Sequence, residues 1–314
     1  MAGPTVADAG EFGLIGEIVH GLDLPLSVPV GPGDDCAVFS PRGDVAVSTD
    51  AMVEDVHFRR VWSGPHDVGR KAVASAMADV EAMGATPVGV VLSLTVPPAL
   101  EAAWVAECAS GVKEECAACG ASLLGGDVTR GEKIALVATV FGDLAGRPPV
   151  LRSGARAGDV VAYIGRLGMA AAGLAVLSRG FRSPGAVVKA HRVPEPPYGQ
   201  GATAAVAGAS AMIDCSDGLV ADLGHVAEAS GVTIEIDTAA LEVSEPQRTV
   251  AAAIGGGDPL TYLLGGGDDH ALLATFAPAD VPAGWTVIGR VAAGEPAVLV
   301  DGEPWAADGG WTHF

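Results

Sequence analysis

Ser122-Leu123-Leu124-Gly125-Gly126-Asp127-Val128-Thr129-Arg130-Gly131 runs from an apolar lead into two glycines, a carboxylate and an arginine. Glycine lets backbone approach a phosphate, aspartate binds a hard cation, and arginine neutralises an oxyanion. A second stretch is similar. Met212 and Ile213 close a short apolar strand, and Asp214-Cys215-Ser216-Asp217-Gly218 opens a helical pattern over 217–230. The open backbone N–H groups there suit phosphate, and Asp214 and Asp217 suit a metal. A doubled helix cap is the competing reading. No close repeat is visible. Each half nevertheless carries a Gly-Asp element near a strand end, so two related α/β or α+β halves are expected.

Strands and helices alternate on either side of these elements. Before the first comes a helix over 100–119, stopped by Gly120, and a nearly continuous apolar strand over 88–96. A helix over 67–83 has the stripe Val68, Ala72, Ala76, Val80 and Met83, with Asp67 as cap and Gly84 as stop. A strand over 45–49 delivers Asp50 at its end. Helical spacing over 11–21 sets Phe12, Ile15, Ile18 and Val19 on one side. A strand over 133–142 follows the Gly-Gly-Asp element. The turn-rich stretch 145–159 predicts a boundary between domains 1–145 and 146–314. Beyond it lie strands over 160–164, 232–236, 272–276 and 287–291 and a helix over 170–177. The Pro- and Gly-rich segment 184–201 reads as a connection.

A chain of 314 residues exceeds one ordinary core, which also favours two domains. Lys plus Arg total 18 against 38 Asp plus Glu, a formal net charge of −20. That excludes a basic nucleic-acid footprint and disfavours anionic membrane surfaces. No apolar run reaches the roughly 20 residues of a membrane span, and no secretory signal is visible at the start. The five cysteines are odd in number and suit a reducing cytoplasm. Cys116 and Cys119 form a lone CxxC in a helical pattern, read as buried thiols because no second zinc-ligand pair accompanies it.

Further acidic segments are Gly33-Asp34-Asp35, Ser48-Thr49-Asp50, Asp79 and Gly266-Gly267-Asp268-Asp269. Singly each is a turn, a cap or a solvated boundary residue. Together they are hard oxygen donors, and carboxylates gather only around something positive. Mg²⁺ takes such donors and usually brings nucleotide phosphates, so the pattern points to phosphoryl transfer. No Walker A loop and no protein-kinase signature is present. His57 is open between a packed histidine and a site residue. Trp311, near the end, is open between packing and stacking on a flat heterocycle.

In this order the segments resemble the thiamine-phosphate kinase family of the aminoimidazole-ribotide-synthetase-like superfamily. The resemblance runs from Gly10-Glu11-Phe12 to Trp311-Thr312-His313-Phe314. It implies a mixed α+β fold in two domains. The N-terminal domain would bind metal and ATP and pair its sheet across a homodimer, and a C-terminal α/β domain would complete the active site. The implied activity is ATP-dependent conversion of thiamine phosphate to thiamine diphosphate with several Mg²⁺ ions, in the cytoplasm. Asp35, Ser48, Thr49, Asp50, Asp79, Asp127, Asp214 and Asp217 are the implied metal ligands. Asp127 and Asp214 are the carboxylates on which turnover is expected to depend. Arg152, Ser216 and Gly126 are the implied ATP contacts, and His57, Asp268 and Trp311 the thiamine phosphate contacts.

Two departures stand out. The family has Glu after the last Gly-Gly, and Asp268 here is one methylene shorter. Glu54 and Asp55 add negative charge beside a phosphorylated substrate. The alternatives are another ATP-using enzyme of the superfamily, or a weakly catalytic protein that binds nucleotide or thiamine phosphate.

Overall fold

The computed structural model describes residues 3–254 and 257–305. The fold divides into a first unit, comprising the residues up to Val80 together with Thr86–Gly146, and a second, comprising Glu81–Ala85 and the residues from Arg147 onward.

The first unit is built on a four-stranded sheet. Its strands are β1 (Val45–Val53), β2 (Thr86–Val96), β3 (Ser122–Arg130) and β4 (Ala135–Asp143), in the order β1-β4-β2-β3. β2 and β3 are parallel, and the other two pairs are antiparallel. Alternation along β4 buries Leu136, Ala138 and Val140 beside Val90, Leu92 and Leu94 of β2. The helices are α1 (Val6–Val19), α2 (Pro65–Ala82) and α3 (Ala102–Cys119). α3 supplies the crossover between the parallel strands and is tied to α2 by Arg70 and Glu115, whose Nε–Oε2 distance is 2.8 Å.

Several boundaries differ from the sequence reading. β1 continues past Asp50 to Val53, so Asp50 sits within the strand, paired with Ala138. α2 starts two residues before Asp67 and is buried on nearly every side instead of along one stripe. α1 starts at a Thr5–Asp8 capping box and kinks at Gly10. Its buried face carries Leu14 and Ile18, while Phe12 is 84% exposed, so the expected apolar side is rotated.

The second unit holds a seven-stranded sheet: β5 (Val160–Ile164), β6 (Ala211–Cys215), β7 (Thr233–Ile236), β8 (Ala271–Phe276), β9 (Thr286–Ala292), β10 (Ala297–Val300) and β11 (Glu303–Pro304). The order is β11-β10-β7-β9-β5-β8-β6, antiparallel except for β7 with β10. Alternate residues feed two cores. Val161, Ile213 and Leu273 join Leu219, Leu223 and Val226 of α7 (Leu219–Ser230) on one side. Ala162, Met212, Leu272 and Phe276 join Trp285 and Ala204 on the other. Phe276 and Trp285 meet edge to face with ring centroids 5.3 Å apart.

The segment 184–201 is not a bare connection. It contains α5 (Gly185–Arg192) and starts α6 (Gln200–Ala207), both of eight residues and too short to show a period. α4 (Met169–Ser178), α8 (Glu245–Ala253) and α9 (Leu260–Gly265) complete the α-helices of the described residues, and Thr238–Ala240 forms one 3-10 turn.

Candidate active site

In the second unit, β6 ends at Cys215, paired with Ala271 at the start of β8. The two Gly-acidic segments leave these strand ends side by side. The Asp268 N–H donates to the Ser216 carbonyl at 2.8 Å, and the His270 N–H donates to the Cys215 carbonyl at 3.0 Å. Gly267 lies so close that a Cβ there would stand 2.0 Å from the Ser216 carbonyl oxygen. Asp268 and His270 both hold positive φ, 68° and 55°, an uncommon conformation for side chains other than glycine. Asp214 is buried and paired with His270, Oδ2 to Nδ1, at 3.0 Å. Asp214, Ser216, Asp217 and Asp268 are therefore gathered on one loop pair.

Two carboxylates hold this loop pair: Asp222, which the sequence reading did not single out, and Asp269, the last residue of the Gly-Gly-Asp-Asp segment. Asp222, on the first turn of α7, accepts from the N–H groups of Asp217 and Gly218, both at 3.0 Å. Asp269 accepts from the N–H of Ala170 in the first turn of α4, at 3.1 and 3.2 Å. Burial, with the charge of Asp214 beside it, pushes Asp222 up to about 7. Burial likewise pushes Asp269 up to about 7. The Cys215 thiol is raised by burial first and then by the charges of Asp222, Asp269 and Asp214. The available signal for Asp222 was its place five residues after Asp217 on the apolar face of a helix.

Arg152 is not gathered with them. Its carbonyl accepts from the Ser230 hydroxyl at 2.9 Å, at the C-terminal end of α7. Ser216 precedes the other end of that helix, whose 12 residues span about 18 Å.

In the first unit, Ser48 of β1 donates its hydroxyl to Asp79 of α2. Asp79 therefore faces the sheet. Thr49 pairs its hydroxyl with Thr139 at 3.1 Å on the opposite face of the strand. Asp50, Ala138, Leu92 and Gly126 form one row across the sheet, and Ser93 and Asp127 belong to the next. The pleat of regular strands directs adjacent rows to opposite faces, and β1 and β3 are three strand spacings apart, about 14 Å. Asp50 and Asp127 are both exposed. A bulge leaves Leu124 unpaired just before Gly125. Gly126 then runs beneath β2, where a Cβ would stand 2.0 Å from the Leu92 carbonyl oxygen. Asp35 is exposed in the loop before β1, and its N–H donates to Asp34 at 3.0 Å.

His57 lies in the turn after β1, where its Nδ1 accepts from the Val53 N–H at 3.0 Å. A neutral ring there carries its proton on Nε2. The two extra acids of this turn are offset by cations. Glu54 pairs with Arg60 at 2.6 Å, and Asp55 with Lys133 at 3.1 Å. Trp311 lies outside the described residues.

The donor chemistry fits a hard divalent cation. Every implied ligand is an oxygen donor, and the crowding of Asp214 on Asp222 is the kind of excess that a cation relieves. Among the described residues, no three His, Cys, Asp or Glu side chains converge as a ready-made metal cluster.

Residues 33–144 match the family model "AIR synthase related protein, N-terminal domain", and residues 156–301 match its C-terminal counterpart. The thiamine-monophosphate kinase of Mycobacterium tuberculosis is 48% identical over 312 residues, covering 99% of this chain and 93% of that one. That of Corynebacterium glutamicum is 38% identical, covering 99% and 96%. Among solved structures, AaThiL complexed with AMPPCP and TMP superposes with a TM-score of 0.79 at 35% identity, covering 98% of this chain and 97% of that one. The paired domains and the full-length likeness agree: the chain belongs to the thiamine-monophosphate kinase family, on the two-domain AIR synthase-related fold.

Proposed function

We propose that the protein transfers the γ-phosphoryl group of ATP directly to the phosphate of thiamine phosphate, giving thiamine diphosphate and ADP. The full-length likeness to AaThiL, a structure holding AMPPCP and TMP, carries this reading. The loop pair of Asp214, Ser216, Asp217 and Asp268 supports it with clustered oxygen donors.

The acceptor already presents an anionic phosphate oxygen. The new P–O bond forms at that oxygen as the β,γ-bridge breaks, and no proton has to leave the nucleophile. A general base is unnecessary under this reading. The difficulty is repulsion between two polyanions, and Mg²⁺ when bound supplies the offsetting charge and aligns the phosphates.

Asp35, Ser48, Thr49, Asp50, Asp79, Asp127, Asp214 and Asp217 are assigned to hold the ions. Asp50 and Asp127 are too far apart to share one, which agrees with several ions. Gly126, Ser216 and Arg152 are assigned to ATP, and His57, Asp268 and Trp311 to the acceptor. The pairing of Glu54 and Asp55 with Arg60 and Lys133 removes the charge objection to an anionic acceptor beside His57.

We assign residues 1–145 to metal and ATP binding and dimerisation, and residues 146–314 to completing the active site. Val47, 59% exposed on the outer face of β1, supports pairing through the first sheet. Five free thiols support a reducing cytoplasm.

The test mixes purified protein with ATP, Mg²⁺ and thiamine phosphate and follows thiamine diphosphate by chromatography. Product that disappears without Mg²⁺ is expected. A folded, ATP-binding protein that makes none would overturn the assignment. Phosphorylated enzyme that chases into product would overturn direct transfer.

A further inference from the structure

Asp214 and Asp268 belong to different segments, and one imidazole stands between them. His270 places Nδ1 3.0 Å from Asp214 Oδ2 and Nε2 4.0 Å from Asp268 Oδ1. His191 approaches Asp268 from another element, Nδ1 to Oδ2 at 3.8 Å. The side chains of His270, His191 and Asp214 are each at most 8% exposed, while that of Asp268 is 37% exposed. The result is a chain of alternating rings and carboxylates, His191, Asp268, His270 and Asp214, with only Asp268 opening substantially to solvent. His270 reaches both carboxylates because its φ is 55°, and its N–H is fixed on the Cys215 carbonyl.

We propose that His270 is a positioning residue that sets Asp214 for its cation and, through its far side, sets the shortened Asp268 for the acceptor phosphate. This deepens the kinase assignment and rests on it. A carboxylate with two free rotamers loses orientation when it binds an ion. A ring that donates to one of its oxygens leaves the other aimed. His191 and His270 flank Asp268 at 3.8 and 4.0 Å, beyond direct hydrogen-bond reach, so their influence on it is positional and electrostatic.

The two nitrogens can be separated by substitution. His270→Asn keeps a donor near the Nδ1 position, tolerates positive φ, and loses the side toward Asp268. His270→Gln keeps a nitrogen on the far side and loses the donor to Asp214. His270→Phe keeps a ring and loses both. The direct readout is Mn²⁺ binding by the full-length protein, titrated by electron paramagnetic resonance, with folding checked by thermal unfolding. The parallel readout splits kcat from the KM for thiamine phosphate.

The Gln and Phe variants are expected to bind Mn²⁺ at least about tenfold more weakly, with Asn remaining within about threefold of wild type. Asn should raise the KM for thiamine phosphate with little change in kcat. Folded Gln and Phe variants with wild-type Mn²⁺ affinity would overturn the proposal, as would an Asn variant as impaired as Phe. The arms also separate the two claims. Ion binding that depends on His270 in a protein without turnover removes the kinase assignment and keeps the positioning role. Full turnover with ion binding indifferent to His270 removes the positioning role alone.

Discussion

Gly126 lies beneath the carbonyl of Leu92 and Gly267 beneath that of Ser216, each with a Cβ position only 2.0 Å from the oxygen. Up to that point the two Gly-Gly-Asp elements are built alike. They diverge at the acids. Asp127 leaves its strand into solvent, and Asp50 does the same three strands away. In the second unit, Asp214, Asp222 and Asp269 are buried and tied by His270 and by the N–H groups of Asp217, Gly218 and Ala170. The first set is solvated and spread across the sheet. The second set is fixed by folding, at a cost visible in two carboxyls held up to about 7. Charge is thus stored differently in the two units: as solvated carboxylates in one, as strained buried ones in the other.

The largest expected effect tests the solvated set against the fixed set directly. Asp127→Ala and Asp214→Ala should each lower turnover by at least about a hundredfold, because each removes a carboxylate proposed to hold a cation. Their stabilities should part. Asp127→Ala should stay within about 0.5 kcal/mol of wild type in urea unfolding, as an exposed site does. Asp214→Ala leaves buried His270 without its acceptor and should cost about 1–3 kcal/mol. Equal losses of stability would erase the contrast.

A middle-sized effect tests the likeness. Gly126→Ala and Gly267→Ala should each destabilise the fold by about 1–3 kcal/mol, since the added methyl forces backbone to move. A thermally neutral Gly126→Ala would show that this glycine serves the ligand alone.

The smallest effect concerns pH. Asp222 and Asp269 have folded values near 7 against an ordinary 3.8. Between those values the folded state binds more protons than the unfolded chain, so stability falls as pH rises. Their contribution is complete below 3.8 and lost by about pH 7. In metal-free protein, Asp222→Asn should flatten the decline of the melting temperature across that window by a few degrees. An unchanged slope would mean the buried acids are already relieved in the wild type.

The sequence reading located strands and helices where a period or an apolar run was long enough to declare itself, as in β2, α3 and β8. It passed over α5 and α6 because eight residues among prolines and glycines show no stripe. α8 was marked by Ser244 and Gln247 at capping-box spacing with a proline in the first turn, a signal present in the sequence and unread. Among site residues, the acids beside glycines stood out because that pairing is locally odd. Asp222 and His270 did not. A helical aspartate and a histidine after two aspartates look ordinary until the backbone folds their partners against them. The backbone of Arg152 sits at the C-terminal end of α7, a placement its local motif does not reveal.

The carbonyl beneath each glycine also bears on descent. A duplicated copy of this chain released from catalysis would be free to lose Asp127, an exposed residue whose proposed role is in the reaction and not in the fold. It would not be free to lose Gly126, whose replacement presses on the Leu92 backbone. The glycine is a record of architecture, and the aspartate beside it, on the proposed role, a record of activity. A chain that keeps the first without the second is expected to be a folded protein that has stopped being an enzyme.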